Sequence, residues 1–195
     1  MGIRRRAVFL DRDGVLVEDR GLLVDAEDIR IYEGVPEALA RLHRAGFALV
    51  VVSNQAVVAR GLLSEAGMRR LQETLEARLQ AQGAPAFDGF YYCPHHPSAT
   101  LPEYRVDCGC RKPRPGMLLK AAEDLGLDLA SSYMVGDRPT DLQAGHRAGC
   151  LGIWVQSGRH ADRPIETAEA LDPGIVPAFV CASLTEAATW ILEER

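Results

Sequence analysis

The chain has 195 residues, 47% hydrophobic and 25% charged, which suits one globular domain and excludes collagen-like, coiled-coil and disordered architectures. Lysine and arginine number 22 against 27 aspartates and glutamates, so the net charge of −5 lacks the basic excess of a nucleic-acid binder. No apolar stretch approaches the ~20 residues of a membrane helix, and the basic Arg4-Arg5-Arg6 precedes an apolar run that Asp11 ends too soon for a secretion signal.

These features predict a cytoplasmic protein with neither a nucleic-acid nor a membrane partner, and Arg4 to Arg6 read as a solvated chain start. At this length about 70% of the unfolded surface is buried on folding, so no disulfide framework is required. The five cysteines therefore read as metal ligands or free thiols.

In chain order, residues 6–10 read as a strand, and 34–45 as a helix with Pro36 near its first turn and Gly46 as its stop. Residues 47–52 are apolar on both faces, as in a central parallel strand. Ser64 is the expected N-cap of a long helix with Met68, Leu71, Leu75 and Leu79 on one face, closed by Gly83. Strands follow at 87–92, 133–135, 151–155 and 178–181, with helices at 117–125, 140–148 and 184–192. Strand and helix alternate throughout, which predicts a doubly wound α/β fold: a mainly parallel sheet with helices on both faces, in one domain spanning 1–195. Two segments lack periodicity, 94–115 and 158–177.

Ligands of doubly wound folds sit beyond the carboxyl ends of the strands. Four such ends carry reactive residues here: Asp11 and Asp13, Ser53, the Cys93 loop, and Asp137. Asp11 and Asp13 follow the first strand in Asp11-Arg12-Asp13-Gly14. Two carboxylates so spaced address one small volume, one as a nucleophile on phosphorus and the other as general acid and base. Ser53-Asn54-Gln55 ends the second strand with a hydroxyl and backbone N–H groups that suit phosphate oxygens. Lys112, one of two lysines, lies in a basic cluster with Arg111 and Arg114. Gly136-Asp137-Arg138-Pro139-Thr140-Asp141 adds carboxylates for a hard cation such as Mg²⁺.

Cys93, His95, Cys108 and Cys110 form a C-x-H…C-x-C set. Three thiolates and one imidazole complete a closed tetrahedral zinc site, which predicts a structural zinc stiffening the loop at about 93–111. His96 is the alternative imidazole. Cys150 and Cys181 lie in apolar contexts and read as inert core residues, and Trp154 and Trp190 as packing groups. Arg159, His160 and Arg163 read as a solvated loop or the edge of a pocket.

DRDG, SNQ, RKPRPGML and GDRPTD, in that order, resemble the haloacid dehalogenase-type phosphatases. The stretch YYCPHHP…CGCRKPRPGMLL is similar to the D-glycero-D-manno-heptose 1,7-bisphosphate 7-phosphatase group, with histidinol-phosphatases next. The resemblance runs from about residue 7 to 155. It implies a HAD-like fold without a large cap domain and a Mg²⁺-dependent enzyme acting on a small-molecule sugar bisphosphate; a monomer is expected. It implies Asp11 as nucleophile, Asp13 as general acid and base, and Mg²⁺ bound by Asp11, the Asp13 backbone carbonyl and Asp137. By the same resemblance Ser53 and Lys112 stabilise the transferred phosphoryl group, and Asp141 orients Lys112 or supports the metal shell. Asp19, Arg20, Gly21 and Leu22, together with Asn54, Gln55 and Ala56, would line the substrate pocket, with Arg111 and Arg138 reaching the substrate. Three departures bear on the substrate: Leu22 where Tyr often stands, no glycine near Val57, and Arg138 where Lys is common. The rival readings are a histidinol-phosphate or other small-molecule phosphatase, and an inactive zinc-knuckle binding protein.

Overall fold

The computed structural model describes residues 4–158 and 171–194. Strands β1 (Ala7–Leu10), β2 (Ala48–Asn54), β3 (Gly89–Cys93), β4 (Tyr133–Gly136), β5 (Leu151–Val155) and β6 (Phe179–Cys181) form one sheet in the order β3-β2-β1-β4-β5-β6. Every pairing in it is parallel. The helices between them are α1 (Val35–Arg44), α2 (Ala56–Ala59), α3 (Glu65–Ala81), α4 (Gly116–Leu125), α5 (Pro139–Ala148) and α6 (Leu184–Glu193).

Alternation along the strands divides the core between the two faces. Val8, Leu10, Leu49, Val51 and Val135 pack with Leu39 and Leu42 of α1, Leu71, Leu75 and Leu79 of α3, and Ala187 and Ile191 of α6. Ala7, Phe9, Ala48, Val50, Val52 and Met134 point the other way, onto Met117, Leu118 and Ala121 of α4 and Ala144 of α5. Central strands covered on both sides must be apolar at every position, which is why residues 48–52 carry no polar side chain. Truncating a fully buried leucine such as Leu49 or Leu118 to alanine removes about 2–5 kcal/mol of stability.

The order reverses between β1 and β4, the switch point at which doubly wound sheets place ligands. The Leu10–Val135 register sets the residue after β1 beside the end of β4, and the Asp11 N–H donates to the Val135 carbonyl at 3.0 Å.

Two local expectations need correction, and one short helix adds to them. The third strand begins at Gly89, not 87, because the Asp88 carboxylate accepts from the Leu49 N–H at 2.8 Å and caps the ladder there. The helix α2 is a single turn, too short to show helical periodicity in the sequence. Arg5 and Arg6 are not simply solvated. Arg5 donates to the Gly46 and Phe47 carbonyls and pairs with Asp88, and the Arg6 guanidinium stacks 4.4 Å from the Phe47 ring centroid. Both fasten the start of β1 to the bottom of the sheet.

Candidate active site and metal centre

The turn after β1 is built around Gly14, whose φ of +89° lies in the left-handed region that side chains disfavour. The Leu16 and Val17 N–H groups donate back to the Arg12 carbonyl at 2.9 and 3.1 Å, closing the turn. From the far side of the switch point, β4 delivers Asp137 and the first turn of α5 delivers Asp141. Asp141 is fixed by accepting from the Arg138 N–H at 3.0 Å with one oxygen, at the positive end of the helix.

Carboxylate oxygens of Asp11, Asp137 and Asp141 lie within 4.8 Å of one another, and all three residues are buried. One buried cation compensates them in part. Lys112 Nζ sits 2.9 Å from Asp11 and 2.6 Å from Asp141, and donates to the Val52 carbonyl at 2.8 Å. Burial alone would depress the Lys112 pKa, but the two carboxylates outweigh it, and the ammonium is held above its ordinary range. Burial pushes Asp141 up to about 6 against the pull of Lys112. Asp137 is pushed up to about 9 by burial, then by repulsion from Asp11 and Asp141.

Both oxygens of Asp137 lack a hydrogen-bond partner among the described residues. Two glycines press against it. A Cβ on Gly14 would fall 2.3 Å from Asp137 Oδ2, and one on Gly158 would fall 1.8 Å from it. Ser157 ties this corner together, donating from Oγ to the Gly14 carbonyl at 2.7 Å while its own carbonyl accepts from Tyr32 Oη at 2.7 Å. A buried all-oxygen cluster with an unpartnered carboxylate fits a hard divalent cation such as Mg²⁺. The Asp13 side chain stays outside this cluster and meets Arg12 and Gln55 instead.

A cavity of about 560 Å³ opens over the cluster. Its buried end is lined by Asp11, Ser53, Lys112 and Asp141, with Asp13 beside them. Ser53 Oγ accepts from Gln55 Nε2 at 2.7 Å. Asp19, Gly21 and Leu22 line another wall, where Asp19 accepts from the Gly21 N–H at 2.9 Å and pairs with Arg138 at 3.0 Å. Asn54, Gln55 and Ala56 also line the cavity. The guanidinium groups of Arg111 and Arg138 make the opening electropositive above an acidic floor. Arg111 is held by donating to the His95 carbonyl at 3.0 Å, and burial lowers its pKa from the ordinary value.

Arg20 is the exception among the expected pocket residues. Its exposed side chain turns to Glu18 at 3.3 Å and does not line the cavity, because a long charged side chain on a loop tip is better solvated outside. Arg159, His160 and Arg163 lie outside the described residues. Arg60, His96 and Thr140 line the cavity without having been expected there. Arg12, between the two aspartates, also lines the cavity, and an arginine just past the end of a wholly buried strand is itself a signal.

At the end of β3, Cys93 Sγ lies 3.5 Å from Cys108 Sγ and 3.7 Å from His95 Nδ1. Cys110 Sγ is 3.5 Å from His95 Nδ1 and 3.3 Å from Cys108 Sγ. Tetrahedral zinc with ligands at ~2.0–2.3 Å spaces its donors about 3.3–3.8 Å apart, so the set fits structural zinc. His96 is not the ligand: its Nδ1 accepts from the Ser98 N–H at 3.1 Å. Burial raises the thiol pKa of Cys150 to about 12 and of Cys181 to about 11, as expected of inert core cysteines.

Residues 109–187 match the family described as HAD-hydrolase-like. A D-glycero-β-D-manno-heptose-1,7-bisphosphate 7-phosphatase from Photorhabdus laumondii is 42% identical over 166 residues, covering 85% of this chain and 88% of that one. The Escherichia coli K12 protein of the same name is 46% identical over 154 residues, covering 78% and 80%. Among solved structures, the D,D-heptose 1,7-bisphosphate phosphatase from B. bronchiseptica, complexed with magnesium and phosphate, superposes with a TM-score of 0.82 at 32% identity, covering 97% of this chain and 99% of that one.

Proposed function

We infer the function from one premise: this chain belongs to the HAD-like phosphatase family. It is a Mg²⁺-dependent phosphoric monoester hydrolase whose substrate is a sugar bisphosphate, D-glycero-D-manno-heptose 1,7-bisphosphate, from which it removes the 7-phosphate. The observation that carries this reading is the Lys112 ammonium bridging Asp11 and Asp141 beneath a cavity with an arginine-bearing opening. Such a site accepts a phosphoryl group at its buried end and has cationic groups left over for a second phosphate.

In this reading an Asp11 carboxylate oxygen attacks phosphorus in line with the sugar oxygen, and an aspartyl phosphate forms as the P–O bond to the sugar breaks. Asp13 gives its proton to the departing alkoxide. It then takes a proton from the water that attacks the aspartyl phosphate, releasing inorganic phosphate and restoring Asp11. Lys112 and the Ser53 hydroxyl offset charge on the phosphoryl oxygens, and Asp141 keeps Lys112 in place. Asp11, Asp137 and the Asp13 backbone carbonyl would hold the Mg²⁺, whose charge further stabilises the transferring phosphoryl group.

Zinc in the Cys93–His95–Cys108–Cys110 set stiffens the loop that ends in Arg111 and Lys112. The whole of 1–195 acts as one domain, a monomer working in the cytoplasm. No helix of the described residues is long and apolar enough to cross a membrane.

The test is phosphate release from both anomers of heptose 1,7-bisphosphate, histidinol phosphate and simple sugar phosphates, with Mg²⁺ or with EDTA. An EDTA-sensitive preference for a heptose bisphosphate in kcat/KM is expected. Preference for histidinol phosphate would keep the chemistry and overturn the substrate. No turnover of any ester would overturn the activity.

A further inference from the structure

Arg12 is 1% exposed and is among the largest fully buried side chains of the described residues. Its Nη1 reaches Met68 Sδ at 3.6 Å on α3. A guanidinium in such a place needs a partner, and a buried ion pair is a poor source of stability compared with apolar packing. What a fork of N–H donors gives is orientation. Arg12 Nε and Nη2 both face the Asp13 carboxylate, with contacts of 3.2 Å from Nε to each oxygen and of 3.1 and 2.8 Å from Nη2. The same Nη2 donates to Gln55 Oε1 at 3.0 Å, and Gln55 Nε2 returns a hydrogen bond to Asp13 Oδ2 at 3.1 Å. Asp13 is thus held from two sides, by its own neighbour and by a residue just past the end of β2.

We propose that Arg12, acting with Gln55, is a positioning residue that sets the plane of the Asp13 carboxyl for proton transfer. Oδ2 takes the shortest arginine contact and the Gln55 amide, so the carboxyl is pinned at that oxygen and its plane is fixed. Held in that plane, Asp13 gives a proton to the sugar oxygen as the P–O bond breaks and takes one from water as the aspartyl phosphate is cleaved. The inference rests on the reading of Asp13 as general acid and base.

The experiment compares kcat/KM for the heptose bisphosphate, whose alkoxide needs a proton to leave, with that for 4-nitrophenyl phosphate, whose phenolate does not. Because kcat/KM covers the steps only up to enzyme phosphorylation, it reports Asp13 as the acid and not in its later role as base. Arg12→Met is expected to lose about 100-fold on the sugar ester, within the range of a lost general acid, and less than about 5-fold on the aryl ester. Arg12→Lys keeps the charge without the fork, is the variant more easily accommodated, and is expected to show the same split with a smaller loss. Equal losses on both esters in the folded variants, or no loss, would overturn the proposal. Asp13→Asn is the control. If it shows the split and Arg12→Lys does not, the clamp fails alone; if Asp13→Asn shows no split, the acid assignment fails with it.

Discussion

The Asn54 side-chain amide pairs with the backbone of Lys112 on both sides, donating from Nδ2 to its carbonyl and accepting at Oδ1 from its N–H, each at 3.0 Å. Asn54 ends β2, so the sheet grips the loop at the residue whose ammonium sits on Asp11. Asn54→Ala is therefore expected to lower kcat more than it raises KM, because Lys112 loses its anchor. Two unpaired backbone groups should also cost about 1–3 kcal/mol in urea unfolding. A variant with wild-type kcat and a raised KM would show that Asn54 serves the substrate instead.

Asp11→Asn removes the nucleophile, and activity should fall below about one thousandth of wild type. The fold should survive, since the change also relieves repulsion among three buried carboxylates, only two of which pair with Lys112. Substantial turnover in a folded Asp11→Asn protein would refute attack by this residue.

Gly158 is the least conspicuous member of the site. The clash its Cβ would make with Asp137 means that Gly158→Ala must displace that carboxylate. Changes around a metal ligand weaken affinity by roughly 10–100-fold, and the Mg²⁺ concentration for half-maximal activity should rise by that order. The Mg²⁺-induced rise in Tm should shrink in parallel. Unchanged Mg²⁺ titrations by both readouts would mean that Asp137 has room to move.

The strand ends were legible because each is an apolar run closed by a polar residue, and a parallel sheet forces such ends together. Asp11, Ser53, Lys112, Asp137 and Asp141 could thus be gathered from motif order alone. Arg12 and Gly158 could not. The burial of Arg12 depends on Met68 and Gln55, which arrive from other elements. The importance of Gly158 depends on an aspartate beyond β4. Periodicity reports which face a residue takes, not which distant side chain it meets, and it does not tell His95 from His96. The outward turn of Arg20 was hidden for the same reason: Glu18 lies two residues before it, and nothing local decides which way an exposed side chain leans.

Removing zinc should loosen the 93–111 loop without removing the nucleophile. Cys110→Ser is expected to lower zinc content below one per chain by metal analysis. A stability loss of about 2 kcal/mol at this chain length shifts Tm by roughly 4–8 °C. Activity should fall with it, since Arg111 hangs from the His95 carbonyl. Zinc-free protein with unchanged Tm and rate would remove the structural role.

Glu65 joins the zinc loop to α3, accepting from Tyr92 Oη at 2.7 Å and Tyr104 Oη at 3.0 Å. These hydrogen bonds, Tyr92's first, lower its pKa from 4.5. A carboxyl with a depressed folded-state pKa contributes stability that is present above its unfolded pKa and lost as pH falls through the folded one. Glu65→Gln should cost less than about 1 kcal/mol at pH 7, given its exposure to solvent. The gap between variant and wild type should close as pH drops below 4.5. A gap independent of pH would assign the contribution to packing.

The reversal of strand order between β1 and β4 also sets when the acidic centre can exist. Asp11 is synthesised early, but Asp137 and Asp141 follow only after β2, β3, the zinc loop and α4. Joining β1 to β4 closes the longest loop of any strand pair in the sheet, the contact that chain entropy delays most. An emerging chain of the first 130 residues holds the nucleophile, Ser53, Lys112 and every zinc ligand, yet neither of the carboxylates that crowd Asp11. Charge repulsion is deferred until the pairing strong enough to bear it has formed.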